Sequence, residues 1–364
     1  MTEILMDPYE RLAETLNKIP NGFTKTEDGT HLKVLQWIYT PDEADLASKL
    51  NLIGETVEEL SLRLSLPIEG LSDKLENMAK KGQIYVTKTD TERRYGIMPF
   101  AVGIYEEQLE RMDPEFAQLI EEYFQKAESN NLFDTQPSIF RVIPVNRVIN
   151  KDPKLTIHTY EEAESIINKA KSWGIRECIC KKQKSLLGQP CEYPTTVCLT
   201  FSSRENAYND ETLSKPVTKE NAIELLQEAE EAGLIHCTMN IQSGHYYICN
   251  CCTCCCGVLR GLTERNQPLA FVKANFIMSV DEELCTGCAI CVDRCQFDAL
   301  DIPEDICEVD LQRCVGCGVC AIACPEQALS LVERHPSEPE PPPSIRDWMT
   351  QKAISRQVDP SDLI

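Results

Sequence analysis

Eight cysteines near the C-terminus repeat one spacing. Cys285, Cys288, Cys291 and Cys295 follow C-x2-C-x2-C-x3-C, and Cys314, Cys317, Cys320 and Cys324 follow it again, with Pro325 after the last. Each cysteine of the second set lies 29 residues after its mate, and Ala299-Leu300 and Ala328-Leu329 keep the same offset, so the segment is an internal duplication. Thiolates bind soft metal centres, and a cubane iron–sulfur cluster takes four of them at its corners. Three cysteines separated by two residues each can wrap one face of such a cluster in a tight turn. Gly287, Gly316 and Gly318 let backbone N–H groups come close to sulfur, where hydrogen bonding tunes the potential. Zinc would use only some of these thiols and would leave the doubled spacing unexplained. Cys307, between the two sets, reads as a buried structural thiol.

Over residues 280–333 this pattern resembles the bacterial two-cluster ferredoxins. In those proteins the fourth cysteine of each set ligates the other cluster. The resemblance therefore implies Cys285, Cys288, Cys291 and Cys324 for cluster I, and Cys314, Cys317, Cys320 and Cys295 for cluster II, both [4Fe–4S]. Gln296 stands where a proline usually follows the last cysteine of the first set, a change that alters local packing or potential without removing a ligand.

A second group of cysteines lies upstream. Cys178 and Cys180 open it, Cys191 and Cys198 follow, and Cys249, Cys251, Cys252, Cys254, Cys255 and Cys256 crowd into eight residues. Neighbouring side chains of an extended segment point to opposite sides, so about half of the last six can meet one centre. Three readings stand open. Cys178, Cys180, Cys191 and Cys198 ligate a further iron–sulfur cluster, with the 249–256 run shielding it or holding another; or ligands mix between the two groups, giving an open-site cluster; or the site holds zinc or a labile disulfide. Lys181, Lys182 and Lys184 read either as a solvated loop or as cations offsetting cluster charge, and His236 and His245 as structural histidines or proton donors nearby.

The elements that must position these thiols follow from periodicity. Residues 30–100 read as helices ending in a hairpin. Leu71, Leu75 and Met78 form one stripe of a helix over 68–81, which Gly82 stops, and strands follow at 84–87 and 95–97 across a turn at 88–94. Helices, then a hairpin, is the winged-helix order. Residues 103–135 read as helical, and Arg141–Val145 as a short strand held to a sheet edge by Pro144. Helices are expected near 160–173 and at 219–232, the latter capped by Thr218 and stopped by Gly233, with a strand at 245–248. Pro336–Pro343 reads as a stiff acidic spacer, and the last twenty or so residues as a frayed tail or a short amphipathic helix. The expected fold class is α+β: a winged-helix-like domain with its following helix at 1–135, an α+β cysteine-rich domain at 136–279, a ferredoxin-like domain at 280–334 and a Pro-rich acidic tail at 335–364.

The order of CxCK, two spaced cysteines, ICNCCTCCC and a doubled ferredoxin motif is similar to a widespread family of anaerobe 4Fe–4S dicluster proteins, over nearly the whole chain to about residue 335. Those proteins also begin with a winged-helix-like segment ending near Pro99-Phe100 and Gly103-Ile104-Tyr105-Glu106. The resemblance implies anaerobic electron transfer and no particular substrate.

Composition agrees. The chain has 364 residues, 20 cysteines and a formal charge of −22, which repels DNA and anionic lipid and suits a basic partner. The N-terminus lacks a basic segment followed by an apolar one, no run of about 18 apolar residues occurs, and clustered thiols fit a reducing compartment, so a cytoplasmic location is expected. The leading expectation is an electron carrier or oxidoreductase subunit, working with an anaerobic oxidoreductase partner, since no dinucleotide-binding glycine motif is present. Its rivals are a redox-sensing winged-helix regulator and an enzyme acting at an open-site cluster in the middle domain. The helix at 68–81 is near neutral, with Glu69, Asp73 and Glu76 against Lys74, Lys80 and Lys81, which disfavours DNA.

Overall fold

The structure, a computed structural model, describes residues 6–89, 92–129, 133–150, 157–209 and 213–361. The chain divides into two compact units, one of residues 1–135 with 186–188 and 349–364, the other of residues 136–185 with 189–348. The fold is mixed α+β.

In the first unit, helices α1 (Pro8–Lys18), α2 (Thr30–Ile38), α3 (Pro41–Ala47), α4 (Val57–Leu64) and α5 (Leu71–Lys80) precede a hairpin of β1 (Tyr85–Lys88) and β2 (Arg93–Gly96) and then helix α6 (Pro114–Ser129). Local chemistry sets the starts. Thr40 with Glu43 and Thr56 with Glu59 form reciprocal capping boxes at α3 and α4, each a stabilising feature of about 1 kcal/mol. Leu71, Leu75 and Met78 are buried as their spacing predicts, but α5 begins at Leu71 behind a left-handed Gly70, not at residue 68. The helix expected over 103–135 starts only at Pro114, because residues 100–108 form two short irregular turns. Residues 90–91 of the hairpin turn and 130–132 beyond α6 lie outside the described residues. The core joins Leu12, Leu16, Val34, Leu35, Phe116 and Ile120, with Trp37 stacked on Phe116 at a centroid distance of 4.0 Å.

The second unit is built on a seven-stranded sheet. Its chain order is β3 (Phe140–Ile143), α7 (Ala163–Lys169), β4 (Ser172–Glu177), α8 (Ile179–Leu186), β5 (Thr196–Ser202), β6 (Lys215–Val217), α9 (Lys219–Ala232), β7 (Ile235–Met239), β8 (Tyr247–Cys251), α10 (Gly257–Thr263) and β9 (Phe271–Val272). The strand order is β6-β4-β5-β8-β7-β3-β9. α9 starts and stops where its sequence predicts: the Thr218 hydroxyl accepts from Asn221 N, and Gly233 takes φ +88°. Two expectations are corrected. The helix near 160–173 is only α7, and residues from Ser172 on enter β4. β3 is interior, bonded to both β7 and β9, because Pro144 falls just past its end and no ladder donor is lost.

One face of this sheet is covered by helices: Ile143, Leu199, Phe201 and Ile248 pack with Ile166 and Ile167 of α7 and with Ala222 and Leu226 of α9. Alternation along the strands sends Cys198 and Cys249 to the other face.

The duplicated segment completes the unit: β10 (Phe276–Val280), α11 (Ile290–Arg294), β11 (Leu300–Asp301), β12 (Glu308–Val309), α12 (Val319–Ile322) and β13 (Leu329–Glu333), with β10 antiparallel to β13 and β11 to β12. The 29-residue repeat extends to the backbone, since positive φ recurs at Gly287 and Gly316, at Ala289 and Gly318, and at Asp298 and Gln327. A Cβ at Gly316 would lie 2.1 Å from the Phe276 carbonyl oxygen, and one at Gly287 2.4 Å from that of Asp305.

The Pro-rich segment is no free spacer. Arg141 donates to the Pro339 carbonyl oxygen at 2.5 Å, Gln242 N to that of Pro342 at 2.9 Å, and the Ser243 hydroxyl to that of Pro343 at 2.9 Å. The fully buried Trp348 donates its indole N–H to the Ser138 carbonyl oxygen at 3.0 Å. It lies in α13 (Ile345–Arg356), the helix that forms in place of a frayed tail.

Gly316→Ala is expected to cost at least about 2 kcal/mol, from clash and forced positive φ, whereas Ala289→Gly is expected to be neutral or to gain up to about 1 kcal/mol. Thermal melting of the two variants beside the parent chain checks both.

Candidate metal centres

The two ends of the duplication meet. A cavity is lined by Cys285, Cys288, Cys291 and Cys324, with Ala289, Ile302, Cys307, Ala328 and Leu329 around them. Thus three cysteines of the first set face the last cysteine of the second. The reciprocal group also gathers, since Cys295, Cys314, Cys317 and Cys320 act on one another's charge. Burial pushes the Cys317 thiol up to about 12 and the Cys320 thiol well above its ordinary value. Buried thiols that resist ionisation alone become ligands when a metal replaces their protons. The donor set and its mostly apolar lining therefore fit an iron–sulfur cluster.

Backbone N–H groups reach these sulfurs: Ala299 N lies 3.4 Å from Cys295 Sγ, and Cys307 N lies 3.4 Å from Cys285 Sγ. Cys307 is indeed buried, but it borders the first cavity, with its Sγ 3.6 Å from that of Cys291. Position between the repeats was the only sequence signal for it.

In the middle segment Cys191 packs into one cluster with Cys178, Cys180, Cys198, Cys252 and Cys255, so the two stretches of cysteines mix, and its sulfur contacts are to the later run. Its Sγ lies 3.6 Å from that of Cys252 and 3.7 Å from that of Cys254, while Cys254 and Cys255 are 3.7 Å apart. All four sulfurs lie within 4.8 Å of one another. Hydrogen bonds with Cys252 and Cys255 outweigh burial and draw the Cys254 thiol well below its ordinary value. Four sulfurs at this spacing suit a metal.

The remaining middle cysteines touch in series. Cys178 hydrogen-bonds with Cys180 and Cys198, Cys198 with Cys249, Cys249 with Cys251, and Cys251 with Cys237 and Cys256. Cys237, on β7, was not among the cysteines expected to bind metal. It stands alone in sequence, and only strand pairing sets it opposite Cys249. The 249–256 run is thereby divided evenly, three thiols to each group.

The lysines are not a solvated loop. α8 buries Lys181 and Lys184. Lys181 Nζ donates to the Pro194 carbonyl oxygen at 2.7 Å, lies 5.4 Å from the Tyr193 ring centroid, and acts electrostatically on Cys178, Cys252 and Cys254. Lys184 Nζ meets Gln189 Oε1 at 3.2 Å. His236 is structural, both ring nitrogens being engaged, Nδ1 with Asn250 at 2.6 Å and Nε2 with Glu230 at 3.4 Å. His245 meets the Thr238 hydroxyl through Nδ1 at 3.1 Å, and burial lowers its pKa to about 4.

Gln296 explains its own departure from proline. Its Oε1 accepts from Thr253 N at 2.8 Å, between Cys252 and Cys254, and its Nε2 donates to the Gly233 carbonyl oxygen at 2.5 Å. Arg294, two residues earlier, donates to the Glu230 carbonyl oxygen at 3.1 Å. The turn bearing Cys295 is thus pinned to both the compact quartet and the end of α9.

Residues 278–301 and 307–330 each match the 4Fe-4S binding domain family. No curated protein and no solved structure gives a significant match to the chain. Two repeats of that domain, each with its cysteine set, mean that the chain binds two [4Fe–4S] clusters, and the cysteines of the middle segment add metal-binding capacity beyond them. Among the described residues no helix is long and apolar enough to cross a membrane.

Gln296→Leu leaves Thr253 N and the Gly233 carbonyl without their partner and is expected to destabilise the second unit by roughly 1–3 kcal/mol. A lowered melting temperature at unchanged iron content checks it.

Proposed function

We propose that this chain is an electron-transfer protein that relays electrons to or from an oxidoreductase partner through two ferredoxin-type clusters and the middle cysteine centre. In this reading Cys285, Cys288, Cys291 and Cys324 hold one cluster, and Cys314, Cys317, Cys320 and Cys295 the other. The observation that carries it is the cavity in which Cys324 stands with the first three cysteines of the opposite repeat. Bound clusters supply reversible one-electron steps, at potentials set by their surroundings. The chain's residues tune and insulate. Ala299 N–H and Cys307 N–H hydrogen-bond to sulfur, the buried Arg334 donates to the carbonyl oxygens of Ala274, Phe276 and Cys314, and its charge acts beside Cys314. Cys191, Cys252, Cys254 and Cys255 hold a further metal centre, linked to the Cys295 turn through Gln296. The twenty free cysteines suit a reducing cytoplasm.

The N-terminal unit, in winged-helix order, reads as a docking module. Its two wing arginines are engaged by acids: Arg93 pairs with Glu76, and Arg94 with Glu59 and Glu92 at 3.0 Å each. Those guanidinium groups would have to give up these partners to meet phosphates.

Anaerobic iron and sulfide analysis with EPR tests the reading. Reduced protein is expected to show two [4Fe–4S]⁺ signals. Cys324→Ser is expected to perturb the same signal as Cys288→Ser, while Cys295→Ser perturbs the one affected by Cys317→Ser; the opposite grouping would overturn the assignment. For the N-terminal unit, mobility of duplex DNA is expected to be unchanged by the protein even at low salt, and a salt-dependent shift would favour the regulator reading.

A further inference from the structure

The sheet of the second unit carries a line of thiols that the compact quartet does not use. β4, β5, β8 and β7 are neighbours in that order. Arg176 on β4 is in register with Cys198 on β5, and Cys237 on β7 with Cys249 on β8. The β5–β8 ladder pairs Leu199 with Ile248, which puts Cys198 opposite Cys249 one step along. Three adjacent strands therefore present cysteine at one level of the sheet. Because Leu199 and Ile248 face α7 and α9, this rung faces away from the helices.

The rung is extended by contact. Cys178, just past β4, hydrogen-bonds with Cys198, and Cys251, two residues along β8 from Cys249 and hence on the same face, hydrogen-bonds with Cys237, Cys249 and Cys256. Cys237 is fully buried, and Cys251 and Cys256 nearly so. An ordinary apolar sheet face would carry Val, Ile or Leu at these positions. At one end of the rung stands Arg176, whose charge acts on Cys249. At the other, Cys237 lies close enough to act on the charge of Cys317.

We propose that Cys198, Cys249 and Cys237, completed by Cys178 and Cys251, bind an iron–sulfur cluster separate from the metal centre at Cys191, Cys252, Cys254 and Cys255. The class of ligand follows from shape. A single tetrahedral zinc ion holds sulfurs about 2.3 Å from itself and so needs them bunched, as in the compact quartet. The rung spreads its thiols across three strands spaced about 4.8 Å apart, touching in series. Such a spread calls for several metal atoms bridged by sulfide. Arg176, in register with Cys198, offsets part of the anionic charge. Val142 of β3 pairs with Cys237, and Val145 N, just past β3, donates to the Cys317 carbonyl oxygen at 2.9 Å, which brings the ferredoxin segment to this side of the sheet. The inference rests on the electron-transfer reading above and extends it.

The test uses the full chain, purified and reconstituted without oxygen, and reads bound clusters by native mass spectrometry with iron, sulfide and zinc analysis and Mössbauer spectra. Cys198→Ser with Cys249→Ser is expected to lose one cluster, about four iron if it is a cubane, with the ferredoxin EPR signals retained as the check on folding. An unchanged cluster load, or loss of zinc alone, would overturn the proposal. Should that variant fail to fold, Cys191→Ala with Cys254→Ala removes only the compact quartet at two partly exposed positions. That variant is expected to keep iron beyond the roughly eight atoms of two cubanes; eight or fewer would overturn the rung. Failure of the electron-transfer reading is seen separately, as absence of [4Fe–4S]⁺ signals from the parent chain.

Discussion

Sulfur crowding is the constraint on which the second unit depends. A protein does not bury so many thiols for their apolar surface, which is small, and burial by itself disfavours their ionised form. At Cys317 and Cys320 burial drives both thiols toward the protonated state. The arrangement becomes favourable when metal takes the place of the protons. Positive groups stand nearby to share the load: the buried Arg334 and Lys181, which act on Cys314 and on Cys178, Cys252 and Cys254 respectively, and the half-buried Arg176 at the end of the thiol rung.

The scaffold meets this demand in two ways. In the duplicated segment the backbone does the work, with tight turns whose positive-φ residues repeat at matched positions. There Gly316 lies so close to the Phe276 carbonyl that no side chain fits. In the middle segment a sheet does it. Its helix-covered face supplies the hydrophobic core, and the alternation of a strand then frees the opposite face for cysteine. Gln296 joins the two schemes, because its side chain spans from the Cys295 turn to the loop between Cys252 and Cys254 and to the end of α9.

The first unit obeys a different economy. Its helices begin at capping boxes, its core is aliphatic and aromatic, and its exposed charges are largely paired, including the arginines of the hairpin. Arg356 closes α1 by donating to the carbonyl oxygens of Asn17, at 3.0 Å, and of Ile19, at 2.8 Å, a role of a kind common for cations at helix C-termini.

How much was legible depended on whether the signal was local. The doubled spacing of Cys285 to Cys324 specified two cluster sites, because the ligands of a tight turn are near one another in sequence. Thr218 and Gly233 bounded α9, because capping acts within a few residues. The grouping of the middle cysteines was not legible. Cys191 joins Cys252 and Cys254, some sixty residues away, and Cys237 meets Cys249 only through strand pairing. Likewise Pro144 gave no sign that β3 lies inside the sheet, and the acidic Pro-rich segment gave no sign that Arg141, Gln242 and Ser243 would bind it. Sequence determined which atoms can hold metal, since that is a property of side-chain type and short-range spacing. Tertiary structure decided which of them stand together, since register and strand order are set by the packing of the whole sheet against its helices.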